Sequence, residues 1–216
     1  MTRTTKADGH SIGVPLPDLH GDGEKPREIV YARYTYDGSK SEGERVIVTT
    51  RGHVPWTRNI ARFVQDRIDR KGLFIPRRMR LHNRSKDPKP DRRLNVYVGD
   101  PCWVVIELDH NIPWHFESGQ PGITVEPGHD DDNCDLVHVM PDGTHVRRAA
   151  PAQGTCRLLF FRVQRRCGYE HQRLYCHIIH RNKRLEDPDQ VDPDIPNDGG
   201  KFPFPLHGKP CPEDDA

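Results

Sequence analysis

Apolar residues recur along this chain with two different spacings, and the spacing predicts where strands and a helix lie. The most apolar stretch, Leu158 to Val163 (LLFFRV), is a near-continuous apolar run, which is typical of a strand buried on both faces. A second apolar segment follows after a polar loop, and we predict strands at 157–164 and 173–180. Together they predict a hairpin at the centre of an antiparallel sheet.

Short apolar segments bounded by turn residues predict further strands. These are Glu28–Tyr36, Arg45–Thr50, Leu94–Val98, Cys102–Leu108, Pro113–Phe116, Ile123–Glu126, Asp135–Met140 and Thr144–Arg148. The best turn signal is Met140 to Thr144 (MPDGT), where Pro presets φ, Asp binds its own backbone and Gly takes a positive φ. Many short strands with such turns predict a mainly β fold, an antiparallel β-sandwich or an incomplete barrel.

One segment has helical spacing. Its apolar face consists of Ile60, Phe63, Val64 and Ile68. This pattern predicts an amphipathic helix over 57–71, with Thr57 as N-cap and Gly72 as the C-terminal stop.

The polar ends of the chain suggest how it is divided. We predict a flexible N-terminal tail over 1–26, one β-sandwich domain over 27–186 and a Pro/Asp-rich C-terminal tail over 187–216. The domain includes the helix and a basic loop at 76–93. The sequence leaves open whether residues 28–75 form a separate small subdomain. So short a segment buries little apolar surface, which argues against one.

Composition narrows the function classes. Hydrophobic residues make up 33% of the 216 residues and charged residues 30%, which indicates a modest core. The 33 basic and 32 acidic residues nearly cancel, so no global field favours nucleic acid or an anionic membrane. No secretory signal or membrane-spanning stretch is visible, and we expect a cytoplasmic protein with mostly reduced cysteines.

Two carboxylates near the end of a predicted strand are the candidate catalytic groups. Glu107 and Asp109 would share a strand face about 6.6 Å apart, with His110 and His115 nearby. That arrangement suits an acid–base pair, and it equally suits a strand end that turns out to solvent.

Metal binding has one candidate segment. Closely spaced aspartates after the central hairpin, which could supply oxygen ligands to a divalent cation such as calcium, are Asp187, Asp189, Asp192, Asp194 and Asp198. They lack the order of an EF-hand loop, and no cofactor is otherwise expected. A local copper-like site from Cys134 and His138 is excluded, because these residues would lie about 13 Å apart along a strand.

Anion or nucleic-acid binding has one candidate segment as well. The basic loop 76–93 includes Arg77, Arg78, Arg80 and Arg84. Such clusters contact phosphate, but no aromatic residue lies between Phe74 and Tyr97 to stack on bases.

No catalytic signature is present: the chain contains no nucleophile elbow, P-loop or dinucleotide fingerprint. The leading hypothesis is therefore a non-enzymatic binding or assembly module, most simply for another protein and without membrane contact. The alternatives are a metal-dependent or hydrolytic enzyme built from the strand-end carboxylates and histidines, and a nucleic-acid-binding protein that uses the basic loop.

Overall fold

The structure is a computed structural model that describes residues 26, 28–41, 44–54, 60–70, 80–81, 102–125, 133–147, 150–152, 155–163, 171–185 and 194–196. Within these residues the chain is mainly β, as predicted, with one short helix. The elements are β1 (Glu28–Tyr36), β2 (Val46–Val54), α1 (Ile60–Arg70), β3 (Arg80–Leu81), β4 (Cys102–Leu108), β5 (Trp114–Phe116), β6 (Ile123–Val125), β7 (Asn133–Val139), β8 (His145–Arg147), β9 (Leu158–Val163), β10 (His171–Cys176), β11 (Ile178–His180), β12 (Lys183–Arg184) and β13 (Asp194–Pro196).

The main sheet has seven strands in the order β3-β2-β1-β4-β9-β7-β8. Strands β1 and β4 are parallel, whereas the other neighbours are antiparallel. The predicted antiparallel arrangement therefore holds for every neighbouring pair of this sheet except β1 and β4, and the sheet is mixed. The reason lies in the connection, because parallel neighbours need a long crossover and the chain between β1 and β4 includes α1.

Helix α1 covers one face of the main sheet, as its apolar stripe predicts. Ile60, Phe63 and Val64 are buried in one cluster with Tyr31 of β1 and Val105 of β4, among others. Burial of this stripe, rather than intrinsic propensity, is the main source of stability for a helix of this length. The predicted cap at Thr57 and stop at Gly72 lie outside the described residues.

Two small sheets cover the other face of the main sheet, with strand orders β13-β10-β6 and β12-β11-β5. Trp114 and Phe116 of β5 and Ile178 of β11 are buried against residues such as Val104 and Phe161 of the main sheet. The core therefore lies on both sides of the main sheet. The strands that the structure describes belong to three separate sheets and do not close into a barrel.

The predicted central hairpin does not form. β9 is entirely buried, as its apolar run indicates, but it pairs with β4 and β7. β10 pairs instead with β6 and β13 in another sheet. Apolar content shows that a strand is buried, but it does not determine which strand lies beside it.

The predicted domain limits fall largely outside the described residues. The predicted N-terminal tail is described at residue 26 alone. The predicted strand Leu94–Val98 also lies outside the described residues, and of the basic loop 76–93 only β3 is described. Of the predicted C-terminal tail, Asp194–Pro196 forms β13 and pairs with β10. No helix among the described residues is long and apolar enough to cross a membrane.

Candidate functional site at the ends of β1 and β4

The parallel strands β1 and β4 end side by side, and polar residues collect there on the helix-facing side. Arg33 of β1 lies in register with Glu107 of β4. Because alternate residues of a strand share a face, Tyr31 and Arg33 project to the same side as Glu107. The carboxyl ends of adjacent parallel strands thus place a carboxylate, a phenol and a guanidinium together.

Glu107 is fully buried and its Oε2 accepts two hydrogen bonds. The Tyr31 hydroxyl donates at 2.6 Å and Arg67 Nε of helix α1 donates at 2.7 Å. Arg67 is only 1% exposed, and its guanidinium lies over the Tyr31 ring, 4.8 Å from the centroid. This network joins the helix to the two parallel strands through charge-assisted hydrogen bonds.

The charge state of Glu107 follows from these contacts. Burial by itself raises its pKa, but contacts with His110 and Arg67, with a smaller effect of Tyr31, outweigh burial and lower the pKa to about 2. Burial and the neighbouring Glu107 carboxylate raise the pKa of Tyr31 well above its ordinary value. At neutral pH Glu107 is therefore a carboxylate and Tyr31 a neutral donor, so neither is poised to exchange protons with a ligand.

The rim of the network reaches solvent at the turn after β4. His110 Nε2 lies 3.3 Å from Glu107 Oε1, and the His110 side chain is 35% exposed. Asp109 Oδ1 accepts the Asn111 backbone N–H at 2.9 Å and forms an ion pair with Arg33 at 3.0 Å. Asp109 therefore shapes the turn and neutralises a neighbouring arginine.

Arg157 supports the same turn from the segment that precedes β9. Its NH1 group donates to the backbone oxygen of His110 at 2.6 Å. Burial and the charge of Arg157 lower the pKa of His115 on β5, but within the described residues His115 makes no hydrogen bond or ion pair with the other three candidates. Of the four predicted catalytic residues, the structure thus brings Glu107, Asp109 and His110 to one end of the sheet.

Tyr31, Arg67 and Arg157 contact the candidate site, and the sequence analysis missed all three. A signal existed for Arg67, because it interrupts the apolar stripe of the helix between Val64 and Ile68. A charged residue at a core position requires a buried partner of opposite charge. The identity of that partner could not be read from a chain in which Arg67 and Glu107 are 40 residues apart.

The predicted cation site lies mostly outside the described residues. Asp194 belongs to β13, while Asp187, Asp189, Asp192 and Asp198 are not described. Among the residues that the structure places, no group of three or more His, Cys, Asp or Glu side chains could hold a metal ion. Calcium binding stays a prediction.

The predicted basic site is likewise mostly outside the described chain. Arg80 belongs to β3, and Arg77, Arg78 and Arg84 are not described. Another cationic feature is the β11–β12 hairpin, where the exposed residues are Arg181, Asn182, Lys183 and Arg184. Arg181 and Asn182 have φ of 50° and 63°, which is typical of a tight two-residue hairpin turn.

Contacts at the base fix this hairpin in place. The Arg181 backbone N–H donates to Pro113 O at 3.0 Å and the Leu185 N–H to Ile178 O at 2.9 Å. Arg184 pairs with Glu117 at 3.2 Å and lies 3.0 Å from His177 Nδ1.

Comparison with known proteins adds no family to this picture: no protein-family model, curated protein or solved structure matches the chain.

Proposed function

We propose that the protein is a binding or assembly module that recognises an acidic segment of another protein through the β11–β12 hairpin. One observation carries the proposal. Arg181 and Lys183 are exposed and, within the described part of the chain, make no ion pair or side-chain hydrogen bond. Their positive charges are thus available to a ligand, whereas Arg184 is engaged by Glu117.

The rigidity of the hairpin supports binding. Its turn residues occupy left-handed backbone conformations, and its backbone is tied to Pro113 and Ile178. A surface that is already ordered loses less conformational entropy when it binds. The hairpin therefore presents its cations at a defined spacing.

The contacts of the two carboxylates at the end of β4 argue against the alternative function, in which they act as an acid–base pair. Glu107 is sequestered by Tyr31 and Arg67, and Asp109 is bound to Arg33 and to its own turn. Both side chains are engaged by other residues of the protein, which leaves surface recognition as the simpler function.

An acidic protein segment fits the hairpin better than nucleic acid does. The aromatic side chains nearby are packed into the protein: Trp114 is fully buried, and Tyr36 packs against the core and against the His180 ring, with centroids 4.3 Å apart. Sequence-tolerant nucleic-acid binding usually relies on exposed aromatic platforms and many phosphate contacts.

We further propose a β-sandwich in which the small sheets form the second layer, and the cytoplasm as compartment. In the described chain the Cys156 thiol is buried and donates to backbone oxygens of Val139 and Leu158. Burial raises its pKa to about 12, as suits an unreactive structural thiol. The described cysteines Cys102, Cys156 and Cys176 are in the thiol form, which supports a reducing compartment.

Fluorescence anisotropy with a labelled oligoglutamate peptide tests the proposed function. We expect salt-sensitive binding that Arg181→Ala with Lys183→Ala weakens roughly fivefold to tenfold, because an exposed ion pair contributes up to about 1 kcal/mol. The matched control, Arg62→Ala with Arg147→Ala, removes the same charge from exposed positions on α1 and β8 and should leave affinity nearly unchanged. Equal loss in both variants, or binding of an RNA oligonucleotide but not of the peptide, would contradict the proposal.

A further inference from the structure

His177, which lies between β10 and β11, has a polar partner at each ring nitrogen. Its Nδ1 lies 3.0 Å from Arg184 NH2, and its Nε2 lies 2.8 Å from Thr124 Oγ1. A guanidinium can only donate, so Nδ1 accepts through its lone pair and the ring proton lies on Nε2, which donates to Thr124. These contacts therefore require a neutral imidazole in one tautomer.

The nitrogen that donates to His177 is shared with a carboxylate. Arg184 NH2 lies 3.2 Å from Glu117 Oε2, and the Glu117 backbone N–H donates to the backbone oxygen of His177 at 2.9 Å. Glu117 and His177 are therefore direct neighbours across two strands. Glu117 Oε2 is buried and has no aligned hydrogen bond among the described residues, so its ion pair with Arg184 leaves it open to a better-placed donor.

These side chains lie on the outer face of the two small sheets. The strand residues that alternate with them and are buried on the inner face include Phe116, Cys176 and Ile178. Two further titratable side chains lie on the outer face, His115 of β5 and Tyr175 of β10, and neither makes a hydrogen bond or ion pair with His177 in the described chain. Burial and the charge of Arg184 lower the pKa of His177, and the Glu117 carboxylate opposes them.

We propose that His177 is a pH-sensitive switch that determines whether Arg184 is held at Glu117 or released on the surface of the β11–β12 hairpin. A proton taken up from solvent at Nδ1 removes the lone pair that accepts from Arg184 and leaves two positive groups 3.0 Å apart. Arg184 is half exposed and turns to solvent. Because Nδ1 and Glu117 Oε2 border the same nitrogen, the imidazolium donates to Oε2 once Arg184 has left.

The consequence of the switch rests on the proposed function. The released Arg184 joins Arg181 and Lys183 on the exposed hairpin and adds a third cation for an acidic segment, so acid should strengthen binding. The exchange of partners at Glu117 needs no ligand, and it is tested without one.

Nitrogen NMR of the full-length protein over a pH titration is the first test. We expect the Arg184 Nε signal, assigned by its loss in Arg184→Gln, to become more mobile as His177 takes up its proton. His177→Gln has no proton to take up, and in that variant the Arg184 signal should stay unchanged over the same pH range.

His180→Gln is the matched control for this titration. Its imidazole lies on β11 and also has a lowered pKa, but its ring packs on Tyr36, so the variant should keep the wild-type change at Arg184. Three results would overturn the switch: an Arg184 mobility that does not follow the protonation of His177, the same change in His177→Gln, or a His177 that stays neutral until the protein unfolds.

Binding of the labelled oligoglutamate peptide about one pH unit above and below the His177 midpoint is the second test. On acidification we expect wild type to gain about twofold to fivefold more affinity than His177→Gln, because one exposed ion pair is added. The comparison cancels protonation of the peptide, and Arg184→Gln should lack the extra gain.

The two proposals fail in different ways. An equal gain in wild type and Arg184→Gln would mean that the charge of His177 acts on the peptide directly, and it would overturn the regulatory role of Arg184. If the peptide binds to none of these proteins at either pH, the proposed function fails, and the mobility of Arg184 still decides whether the switch exists.

Discussion

At the scale of single residues, His138 shows how a polar side chain can be part of the core. It lies in β7, is fully buried, and its Nε2 accepts the backbone N–H of Gly122 at 3.0 Å. A Cβ at position 122 would meet Nε2 at 2.9 Å and Leu159 Cδ2 at 2.8 Å. The close approach therefore requires glycine at 122 and an unprotonated Nε2 at 138.

The protonation of His138 predicts an acid-sensitive fold. Burial lowers its pKa from 6.5 to about 4, although the nearby Val146 backbone counters part of the effect. A lowered folded-state pKa means that the unfolded chain takes up the proton first. The contribution is therefore complete above pH 6.5 and is lost as the pH falls toward 4, at a cost of about 3 kcal/mol.

Urea unfolding as a function of pH measures this effect. The other described histidines with lowered pKa, among them His177, change stability in the same direction, so a variant must isolate His138. His138→Gln replaces Nε2 by an amide oxygen that cannot be protonated in this range. We expect a shallower pH dependence between 6.5 and 4 in the variant than in wild type, and identical slopes would show that His138 does not carry the effect.

At the scale of elements, the Arg67–Glu107 pair joins α1 to the sheet, and we infer that it selects the position of the helix. The apolar stripe allows the helix to slide along its axis, whereas a buried ion pair with a hydrogen bond of 2.7 Å permits one position. Such pairs contribute more to the specificity of an arrangement than to its net stability, because desolvation offsets much of the attraction.

Removing the arginine alone and replacing the whole network by apolar residues should change the free energy of unfolding by different amounts. Arg67→Ala leaves the Glu107 carboxylate buried without its cation, and we expect a loss of roughly 3–5 kcal/mol of unfolding free energy. Replacing the whole network by Tyr31→Phe, Arg67→Leu and Glu107→Leu should restore most of that loss. Chemical denaturation measures both, and a triple variant as unstable as Arg67→Ala would mean that the network itself provides net stability.

At the scale of the whole molecule, both halves of the core share one sheet. Trp103 of β4 is buried on the helix side and Trp114 of β5 on the side of the small sheets. Strand β4 contributes residues to both clusters. Loss of packing on one face of the sheet therefore destabilises the strands against which the other face packs. The described core should therefore unfold as one cooperative unit.

Single-tryptophan variants test this cooperativity. The chain has three tryptophans, so Trp56→Phe with Trp114→Phe leaves the helix-side reporter, and Trp56→Phe with Trp103→Phe leaves the other. We expect both reporters to melt at the temperature given by circular dichroism of the same variant. Phe161→Ala, added to each background, should cost roughly 3–5 kcal/mol on both reporters, and a shift confined to Trp114 would indicate separate units.

Local patterns in the sequence determined the elements of this fold. The helical stripe gave α1, and the apolar run gave β9 as a strand buried on both faces. The Met140–Thr144 turn was also predicted: the Met140 N–H donates to Thr144 O at 2.8 Å and Gly143 has a φ of 86°. These features depend on residues a few positions apart, whose periodicity and backbone preferences act within one segment.

Tertiary structure alone decided how those elements combine. The sequence carried no sign that β1 and β4 run parallel or that β9 and β10 belong to different sheets. Glu107 was a candidate from its place near a strand end, but its role depends on Tyr31 and Arg67, which are 76 and 40 residues away. Strand pairing and buried ion pairs arise from packing between distant segments, and a period within one segment contains no information about which segment will face it.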